Sequence, residues 1–282
     1  MHTVSIAEAL REQLRDWRGT GDHIALVPTM GNLHEGHLSL VALAREHAER
    51  VVVSIFVNPT QFDDPDDFER YPRTLALDER KLKKANADLL FLPDLETMYP
   101  FGIDNATSVT VPVLSEELCG EFRPGHFDGV TSVVSRLFSI VQPDVAVFGE
   151  KDYQQLLIVK RLVADLSLEI EIASGPVVRE SDGLAMSSRN QYLSEEERAV
   201  APGLYAVLED TAEQLQSGNR DFEALEKQAV EVLRSQGFEP EYVSIRRAEN
   251  LGLPDRDDDR LVVLAAARLG GTRLIDNVQI GI

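Results

Sequence analysis

The chain has 282 residues, 43% of them hydrophobic, which is enough for one large domain or two of ordinary size. With 48 acidic and 28 basic residues its formal net charge is −20, so its surface is expected to repel nucleic acid and anionic membrane. The sequence contains no apolar stretch of the ~18 residues that a bilayer-spanning helix needs, and its first residues do not have the pattern of a signal peptide.

The N-terminal segment is predicted to form an amphipathic helix, because Ser5 and Glu8 have the spacing of a capping box. An apolar run at residues 24–27 then predicts a buried strand. Residues 28–40 continue with a glycine-bearing turn and the beginning of a helical apolar pattern. A strand, a glycine turn and a helix start together offer backbone N–H groups and the positive helix end to a phosphate.

Two histidines, His34 and His37, lie in that turn, and their spacing can place both imidazoles on one side of a first helical turn. The turn is not a P-loop, since His37 and Leu38 stand where that motif has lysine and then serine or threonine. It also lacks G-x-G-x-x-G, and H-E-G-H does not have the spacing of a zinc-binding H-E-x-x-H helix. From these residues alone, a pair of ordinary surface histidines remains an alternative.

Strands and helices are predicted to alternate through the following segment, which favours a doubly wound parallel sheet. The β-branched run at residues 51–57 predicts a central strand that ends at Asn58, so Asn58 and Gln61 fall where ligands bind open α/β sheets. Asp152 is predicted to cap a helix that runs to residue 165. The other predicted elements are helices at residues 74–85 and 129–141 and strands at 89–92, 145–148 and 168–173.

The character of the chain changes near residue 175. A short strand at residues 177–178 is predicted to lead into the polar M-S-S-R segment, and Ser194 and Glu197 form a capping box expected to start a long helix. A further helix is predicted at residues 221–236, followed by strands at 242–245, 261–269 and 272–280, with Gly270-Gly271 as a hairpin turn. We therefore predict a Rossmann-like α/β domain at residues 1–175 and a smaller α+β domain at 176–282.

The H-x-G-H pattern resembles the signature of the nucleotidyltransferase superfamily, which includes the class I aminoacyl-tRNA synthetases. The longer string at residues 28–37, P-T-M-G-N-L-H-E-G-H, is similar to one group in it, the pantoate–β-alanine ligase family. Four further blocks match that family in order: V-N-P-T-Q-F at 57–62, F-R-P-G-H-F at 122–127, F-G-E-K-D-Y-Q-Q at 148–155 and M-S-S-R-N at 186–190. On these blocks the chain is identified as a member.

The resemblance implies an ATP-dependent condensation of (R)-pantoate with β-alanine. Pantoyl-adenylate would be the intermediate, and pantothenate, AMP and pyrophosphate the products. The residue types suit this chemistry, because a carboxylate nucleophile is already ionised at neutral pH and needs alignment rather than a general base. The resemblance also implies a homodimer. The lone Cys119 cannot form an intramolecular disulfide, which is typical of a cytoplasmic protein.

The same resemblance implies roles for individual residues. It makes His37, His34, Lys151 and Arg189 catalytic, with His37 the leading proton donor, and it assigns pantoate to Gln61 and Gln155, with Gln61 also near β-alanine. The residues implied in ATP binding are Met30, Gly31, Asn32, Leu33, His34, Glu35, Gly36, His37, Gly149, Glu150, Lys151, Asp152, Val178, Met186, Ser187, Ser188 and Arg189. M-S-S-R resembles the K-M-S-K-S loop of the synthetases, but Ala185 replaces its leading lysine. The cationic role then passes to Lys151 and Arg189.

Several alternatives stay open at this point. Magnesium is expected to arrive with ATP, held mainly by phosphate oxygens, and no protein ligand for it can be named. The acidic run at residues 63–67 is interpreted as a solvated loop rather than a metal site, and Met30 could simply pack in a core. Arg123 and His126 match a family block without a defined role. A nucleotidyltransferase acting on a phosphorylated acceptor and a catalytically silent nucleotide-binding regulator are the competing functions.

Overall fold

A computed structural model describes residues 1–281 of the chain. The chain forms two compact units. The first contains Met1–Glu150 and Ile158–Pro176, and the second contains Lys151–Leu157 and the chain from Val177 onward. The domains predicted from the sequence, residues 1–175 and 176–282, remain a prediction. The two compact units differ from them in that Lys151–Leu157 belongs with the second unit.

The first unit is built on a six-stranded sheet in which every neighbouring pair is parallel. Its strands are β1 (His2–Val4), β2 (Ile24–Thr29), β3 (Arg50–Ile55), β4 (Leu89–Phe91), β5 (Val145–Gly149) and β6 (Glu171–Gly175). They lie in the order β1-β4-β3-β2-β5-β6, so the sheet grows in both directions from β2. The predicted doubly wound parallel sheet is confirmed.

Helices connect these strands. They are α1 (Ala7–Gly19), α2 (Glu35–His47), α3 (Pro65–Arg70), α4 (Leu75–Lys84), α5 (Leu95–Met98), α6 (Cys119–Phe122), α7 (His126–Val141) and α8 (Tyr153–Asp165), of which α8 begins in the second unit. The runs at residues 24–27 and 51–53 are completely buried, as expected for central parallel strands covered on both faces. Val41 and Ala44 bring α2 into that core.

The second unit combines an antiparallel sheet with three helices. The helices are α9 (Glu195–Val200), α10 (Gly203–Gln216) and α11 (Phe222–Ser235), and the strands are β7 (Glu239–Arg247), β8 (Arg260–Leu269) and β9 (Thr272–Gly281) in the order β7-β8-β9. Leu269 pairs with Thr272 across the Gly270-Gly271 turn, so the predicted hairpin is confirmed. The core of this unit joins Leu208 and Leu233 of the helices to Val263 of the sheet.

Three local predictions were wrong. The first helix begins at Ala7 without a side-chain cap, so Ser5 and Glu8 make no capping box there. The Ser194–Glu197 capping box exists, but its helix ends at Val200, because Pro202 follows and cannot supply a backbone N–H. Residues 177–178 form no strand. Their neighbourhood contains an isolated bridge between Arg179 and Ala185 instead. Within residues 1–281, none of the helices combines the length and the apolar character that crossing a membrane requires.

Candidate functional site

The H-x-G-H turn lies at the carboxyl end of β2, where the strand order of the sheet reverses. Strands β2 and β5 are neighbours, with Leu26 paired to Ala146, so the turn and the end of β5 at Gly149 share one edge of the sheet. Open α/β sheets bind their ligands in the crevice at this kind of switch point. The structure therefore places residues 30–37 and Gly149–Glu150 at the same edge of the sheet, and their role in ATP binding stays a prediction.

A buried carboxylate holds the backbone of the turn. Gly31 and Asn32 both have positive φ angles, 82° and 49°, so the chain reverses through two left-handed residues. Asp78 of α4, only 1% exposed, accepts the backbone N–H of Asn32 at 2.9 Å and that of Leu33 at 2.8 Å. Lys81, one turn later, donates to the Leu33 carbonyl. We call this arrangement the Asp78 clamp.

The rings of the two histidines lie beside each other at the start of α2, with centroids 4.1 Å apart and planes inclined at 45°. The backbone N–H of His34 donates to Nδ1 of His37 at 3.2 Å. Because Nδ1 is the acceptor, the ring proton of neutral His37 belongs on Nε2. The predicted placement of both imidazoles on one side of the first turn is therefore what the structure shows, and His37 is oriented as an Nε2–H donor.

Gln61 lies beside Met30 at the neighbouring strand end. Its side-chain Nε2 donates to the Met30 sulfur at 3.2 Å, while Asn58 donates to Gln61 Oε1 at 3.1 Å. Asn58 is buried and accepts a hydrogen bond from the Tyr99 hydroxyl at 2.7 Å. Met30 itself is half-buried, so it does not belong to the fully buried core. These contacts fix the amide of Gln61 in one orientation.

Arg123 and His126 contact the backbone of Gln61. His126 Nδ1 donates to the Gln61 carbonyl at 2.7 Å, and Arg123 donates to the same oxygen at 3.3 Å. Arg123 also forms an ion pair with Asp63 at 2.7 Å. Burial alone would raise the pKa of Asp63, but the charge and hydrogen bond of Arg123 bring that pKa below its ordinary value. Arg123 and His126, which match the family block, therefore hold the backbone of Gln61 rather than its side chain.

The acidic run at residues 63–67 is largely exposed, but it is not the loop that the sequence predicted, because residues 65–67 form the first turn of α3. Asp64 caps α3 by accepting the backbone N–H of Asp66 at 2.9 Å, and Asp63 is paired with Arg123. Across residues 1–281, no group of three histidine, cysteine or acidic side chains is arranged to hold a metal ion.

Lys151, Asp152 and Gln155 belong to the second unit, at and just before the start of α8. Residues Glu150–Asp152 form a 3₁₀ turn, so the predicted helix begins one residue after Asp152. The Tyr153 hydroxyl donates to the Ala248 carbonyl at 2.8 Å, and Asn277 of β9 donates to the Lys151 carbonyl at 3.0 Å. These bonds anchor the segment that carries Lys151 and Gln155 to the sheet of the second unit.

The M-S-S-R segment follows a short hairpin of the same unit. Met186 donates its N–H to the Val178 carbonyl at 2.9 Å, just beyond the bridge between Arg179 and Ala185. The Ser187 hydroxyl accepts the N–H of Arg189 at 3.2 Å and caps the 3₁₀ turn Ser188–Tyr192. Of the predicted nucleotide residues of this unit, Val178, Met186, Ser187, Ser188 and Arg189 thus lie on this hairpin and the turn that follows it, while Lys151 and Asp152 lie before α8.

The clamp residues were missed from the sequence. Asp78 stands one helical turn before Leu82, on the side of α4 that is otherwise apolar. A charged residue in such a position was the only available signal, since buried acids require hydrogen-bond partners. Its partners could not be found in this way because Leu33 is 45 residues distant in the chain.

Comparison with known proteins agrees with the motifs. The family model described as pantoate–β-alanine ligase matches residues 2–279. Among curated relatives, the pantothenate synthetase of Azotobacter vinelandii is 53% identical over 282 residues, with complete coverage of both chains. The pantothenate synthetase of Thioalkalivibrio sulfidiphilus is 55% identical over 280 residues, covering 99% of this chain and 98% of the relative.

Solved structures give the same result. The crystal structure of pantothenate synthetase from Thermus thermophilus superposes with a TM-score of 0.91 at 46% identity, covering 99% of both chains. A ligase from Francisella tularensis, solved with an ATP ligand and β-alanine, gives a TM-score of 0.78 at 33% identity, covering 99% of this chain and 97% of that one. By sequence and by fold, the chain belongs to the pantoate–β-alanine ligase family and catalyses the ATP-dependent condensation of pantoate with β-alanine.

Proposed function

We propose that the condensation runs in two steps through pantoyl-adenylate. A pantoate carboxylate oxygen attacks the α-phosphorus of ATP, forming a P–O bond while the bond to pyrophosphate breaks. The amine of β-alanine then attacks the acyl carbon, AMP leaves with the carboxyl oxygen, and the amine loses a proton. Negative charge grows on pyrophosphate in the first step, so that step gains most from preorganised hydrogen-bond donors.

The observation that carries this proposal is the orientation of His37. Its Nδ1 is occupied by the backbone N–H of His34, and the turn lies at the switch point of the sheet. A neutral His37 therefore carries its ring proton on Nε2, and the ring lies at a helix N-terminus, where anions are favoured. We assign His37 to the leaving phosphates as a donor and the neighbouring His34 to the same phosphates.

Cations and amides of the motifs complete the assignment. We assign Lys151 to the phosphates as a point charge and Arg189 as a planar fork. Gln61 and Gln155 bind pantoate through neutral amides, and Gln61 also lies near β-alanine; the support for Gln61 is its fixed amide beside Met30. The other residues assigned to ATP are Met30, Gly31, Asn32, Leu33, Glu35, Gly36, Gly149, Glu150, Asp152, Val178, Met186, Ser187 and Ser188.

Magnesium enters with ATP in this proposal. Phosphate oxygens hold the ion, which suits a cation that keeps several waters and few protein ligands. It would neutralise charge on the phosphates, while the side chains of the chain bind and orient them. A homodimer in the cytoplasm and a Rossmann-like relationship complete the proposal. They rest on the family resemblance and, for the last, on the strand order around β2.

Isotope exchange between pyrophosphate and ATP tests the first step. The enzyme should move labelled pyrophosphate into ATP with magnesium and pantoate present and β-alanine absent, because adenylation is a complete and reversible half-reaction. His37→Ala should slow this exchange by about 100- to 1,000-fold, the typical cost of one preorganised donor. His47→Ala is the matched control: it removes a histidine from the last turn of the same helix, paired there with Glu171.

The outcome can contradict the proposal in three ways. Exchange that does not require pantoate would assign a different acid, and wild-type exchange in folded His37→Ala would remove that residue from the first step. Release of ADP and phosphate in place of AMP and pyrophosphate would move the attack to the γ-phosphorus.

A further inference from the structure

Two consecutive residues in the middle of β9, Asp276 and Asn277, are buried polar side chains. They are 4% and 3% exposed, respectively, and pair with Ala265 and Leu264 of β8. Successive strand residues point to opposite faces of a sheet, so the two side chains are buried in different surroundings. Buried polar groups require partners, and each of these two has one outside the sheet.

Asp276 binds the base of the hairpin that precedes M-S-S-R. Arg179 donates to its two carboxylate oxygens at 2.6 and 3.0 Å and also donates to the Gly183 carbonyl at 3.1 Å. The guanidinium lies 3.6 Å from the centre of the Tyr205 ring. Burial raises the pKa of the Asp276 carboxyl, and Arg179 opposes that rise. The pair fixes the residue that bridges to Ala185, next to the start of M-S-S-R.

Asn277 binds the segment that carries Lys151, the lysine assigned to the phosphates in the proposed function. Its side-chain Nδ2 donates to the Lys151 carbonyl at 3.0 Å, while its backbone N–H donates to Asp276 at 2.7 Å. Its own carbonyl accepts from Arg179 at 3.2 Å. One dipeptide of β9 therefore contacts the main chain at Lys151 and the arginine at the base of the hairpin.

We propose that Asp276 and Asn277 are positioning residues that hold Lys151 and the M-S-S-R segment in one fixed arrangement for the phosphates of ATP. The inference rests on the phosphate roles proposed for Lys151 and Arg189. Preorganised cations accelerate phosphoryl chemistry only when their supports hold them in place, and a misplacement of about 1 Å can cost about 100-fold in rate.

A second ion pair in the same sheet supplies the matched control. Arg273 of β9 donates to both oxygens of Glu241 on β7, at 2.9 and 3.1 Å, and both side chains are largely buried. Neither residue is assigned to any substrate. Glu241→Gln therefore breaks a comparable pair, whereas Asp276→Asn and Asn277→Ala break the contacts of the dipeptide.

The experiment measures binding and local opening without turnover. Calorimetry gives the Kd for an ATP analogue with a methylene group between its α- and β-phosphorus atoms, and amide hydrogen exchange follows residues 179–189. Asp276→Asn should weaken binding by about tenfold or more and speed exchange across the hairpin, because the cations are then no longer held in place. Asn277→Ala should weaken binding with a smaller effect on the hairpin. Glu241→Gln should leave the Kd within about twofold, whatever it does to Tm.

Wild-type analogue affinity in both dipeptide variants, or equal loss in Glu241→Gln, would overturn the inference. If Asp276→Asn does not fold, Asn277→Ala decides, because it removes the neutral hydrogen bond to the Lys151 carbonyl and leaves the Asp276–Arg179 ion pair in place. Failure of the two-step route would be seen in the isotope-exchange experiment instead, as pyrophosphate exchange that does not require pantoate. Unchanged affinity in Lys151→Ala would remove the phosphate role of that residue, while the hydrogen-exchange result still tests the support of the hairpin.

Discussion

At the scale of single residues, the H-x-G-H turn depends on a side chain that no motif contains. Asp78 accepts two successive backbone N–H groups in the left-handed stretch, and Lys81 holds the next carbonyl. Asparagine adopts the left-handed conformation more readily than most residues, and the two hydrogen bonds to Asp78 hold the backbone in that conformation at Asn32. The Asp78 clamp thus fixes the position at which α2 begins and, with it, the position of His34.

Asp78→Asn should therefore slow pyrophosphate exchange and also destabilise the fold. An amide has one acceptor oxygen, so one of the N–H groups of Asn32 and Leu33 would face another donor, at a cost of about 1–3 kcal/mol. Asp144→Asn is the control, because Asp144 accepts the Ile24 N–H at the opposite edge of the sheet, at 2.7 Å. Urea unfolding and exchange rates should show lost stability in both variants and slowed exchange only in Asp78→Asn. Equal slowing in both would make the clamp purely structural.

The Asp63–Arg123 pair gives a prediction about pH. Because the pKa of folded Asp63 lies below its ordinary value of 3.8, the pair stabilises the fold above that value and is lost as pH falls through the lower one. Arg123→Gln should raise the pKa of Asp63, since burial then acts without the opposing charge. Carbon-detected NMR titration measures it. The pKa of Asp94, lowered mainly by the Thr97 backbone N–H, should not move.

An Asp63 pKa that stays low in Arg123→Gln would assign the shift to backbone hydrogen bonding instead. The Asp63–Arg123 pair would then contribute no pH-dependent stability, while the hydrogen bond from Arg123 to the Gln61 carbonyl would be unaffected by that result.

At the scale of elements, the pantoate side of the proposed site depends on close packing between α7 and the turn after β3. A Cβ added at Gly129 of α7 would lie 2.3 Å from the Thr60 carbonyl and 2.7 Å from the Gln61 nitrogen, both backbone atoms. Asn58 also donates to the Gly129 carbonyl at 3.1 Å. Only glycine allows the helix to come this near.

Gly129→Ala should destabilise the fold by about 1–3 kcal/mol, the usual cost of overpacking, and raise the KM for pantoate because Gln61 must shift. Gly19→Ala, in α1, is the control: its Cβ would have no neighbour within 4 Å, and stability should stay constant or rise by up to about 1 kcal/mol. Thermal unfolding and steady-state kinetics measure both. An unchanged pantoate KM in folded Gly129→Ala would separate Gln61 from pantoate binding.

Some of these elements could be predicted from the sequence and others could not, for physical reasons. Buried parallel strands such as β2 and β3 were predictable, because both of their faces are covered and the apolar run is continuous. The spacing of a capping box did not by itself identify a helix cap. Ser194 caps a helix that begins at the next residue, whereas α1 begins two residues after Ser5, so Ser5 does not form a capping box. The prediction of a long helix after Ser194 was wrong, because Pro202 interrupts the helix and the apolar pattern gives no sign of that interruption.

At the scale of the whole molecule, the motifs predicted the loops of the candidate site but not their supports. The H-x-G-H turn and the M-S-S-R segment could be found because their chemistry is local in sequence. Asp78 and Asn277 could not, since their bonds join residues 45 and 126 positions apart. The division of the chain was also difficult to foresee, because residues 151–157 belong with a unit whose remainder begins at Val177.

That division has a consequence for the order in which a growing chain matures on the ribosome. Lys151 is made early, yet the side chain that holds its carbonyl is on β9, 126 residues later. The parallel sheet of the first unit contains all its strands once β6 has emerged, well before β9 exists. A nascent chain can therefore complete the sheet that carries His34 and His37 while the support of Lys151, the lysine that we propose binds the phosphates, is still missing. We expect ATP consumption to begin only after β9 has emerged and Asn277 can bind the Lys151 carbonyl.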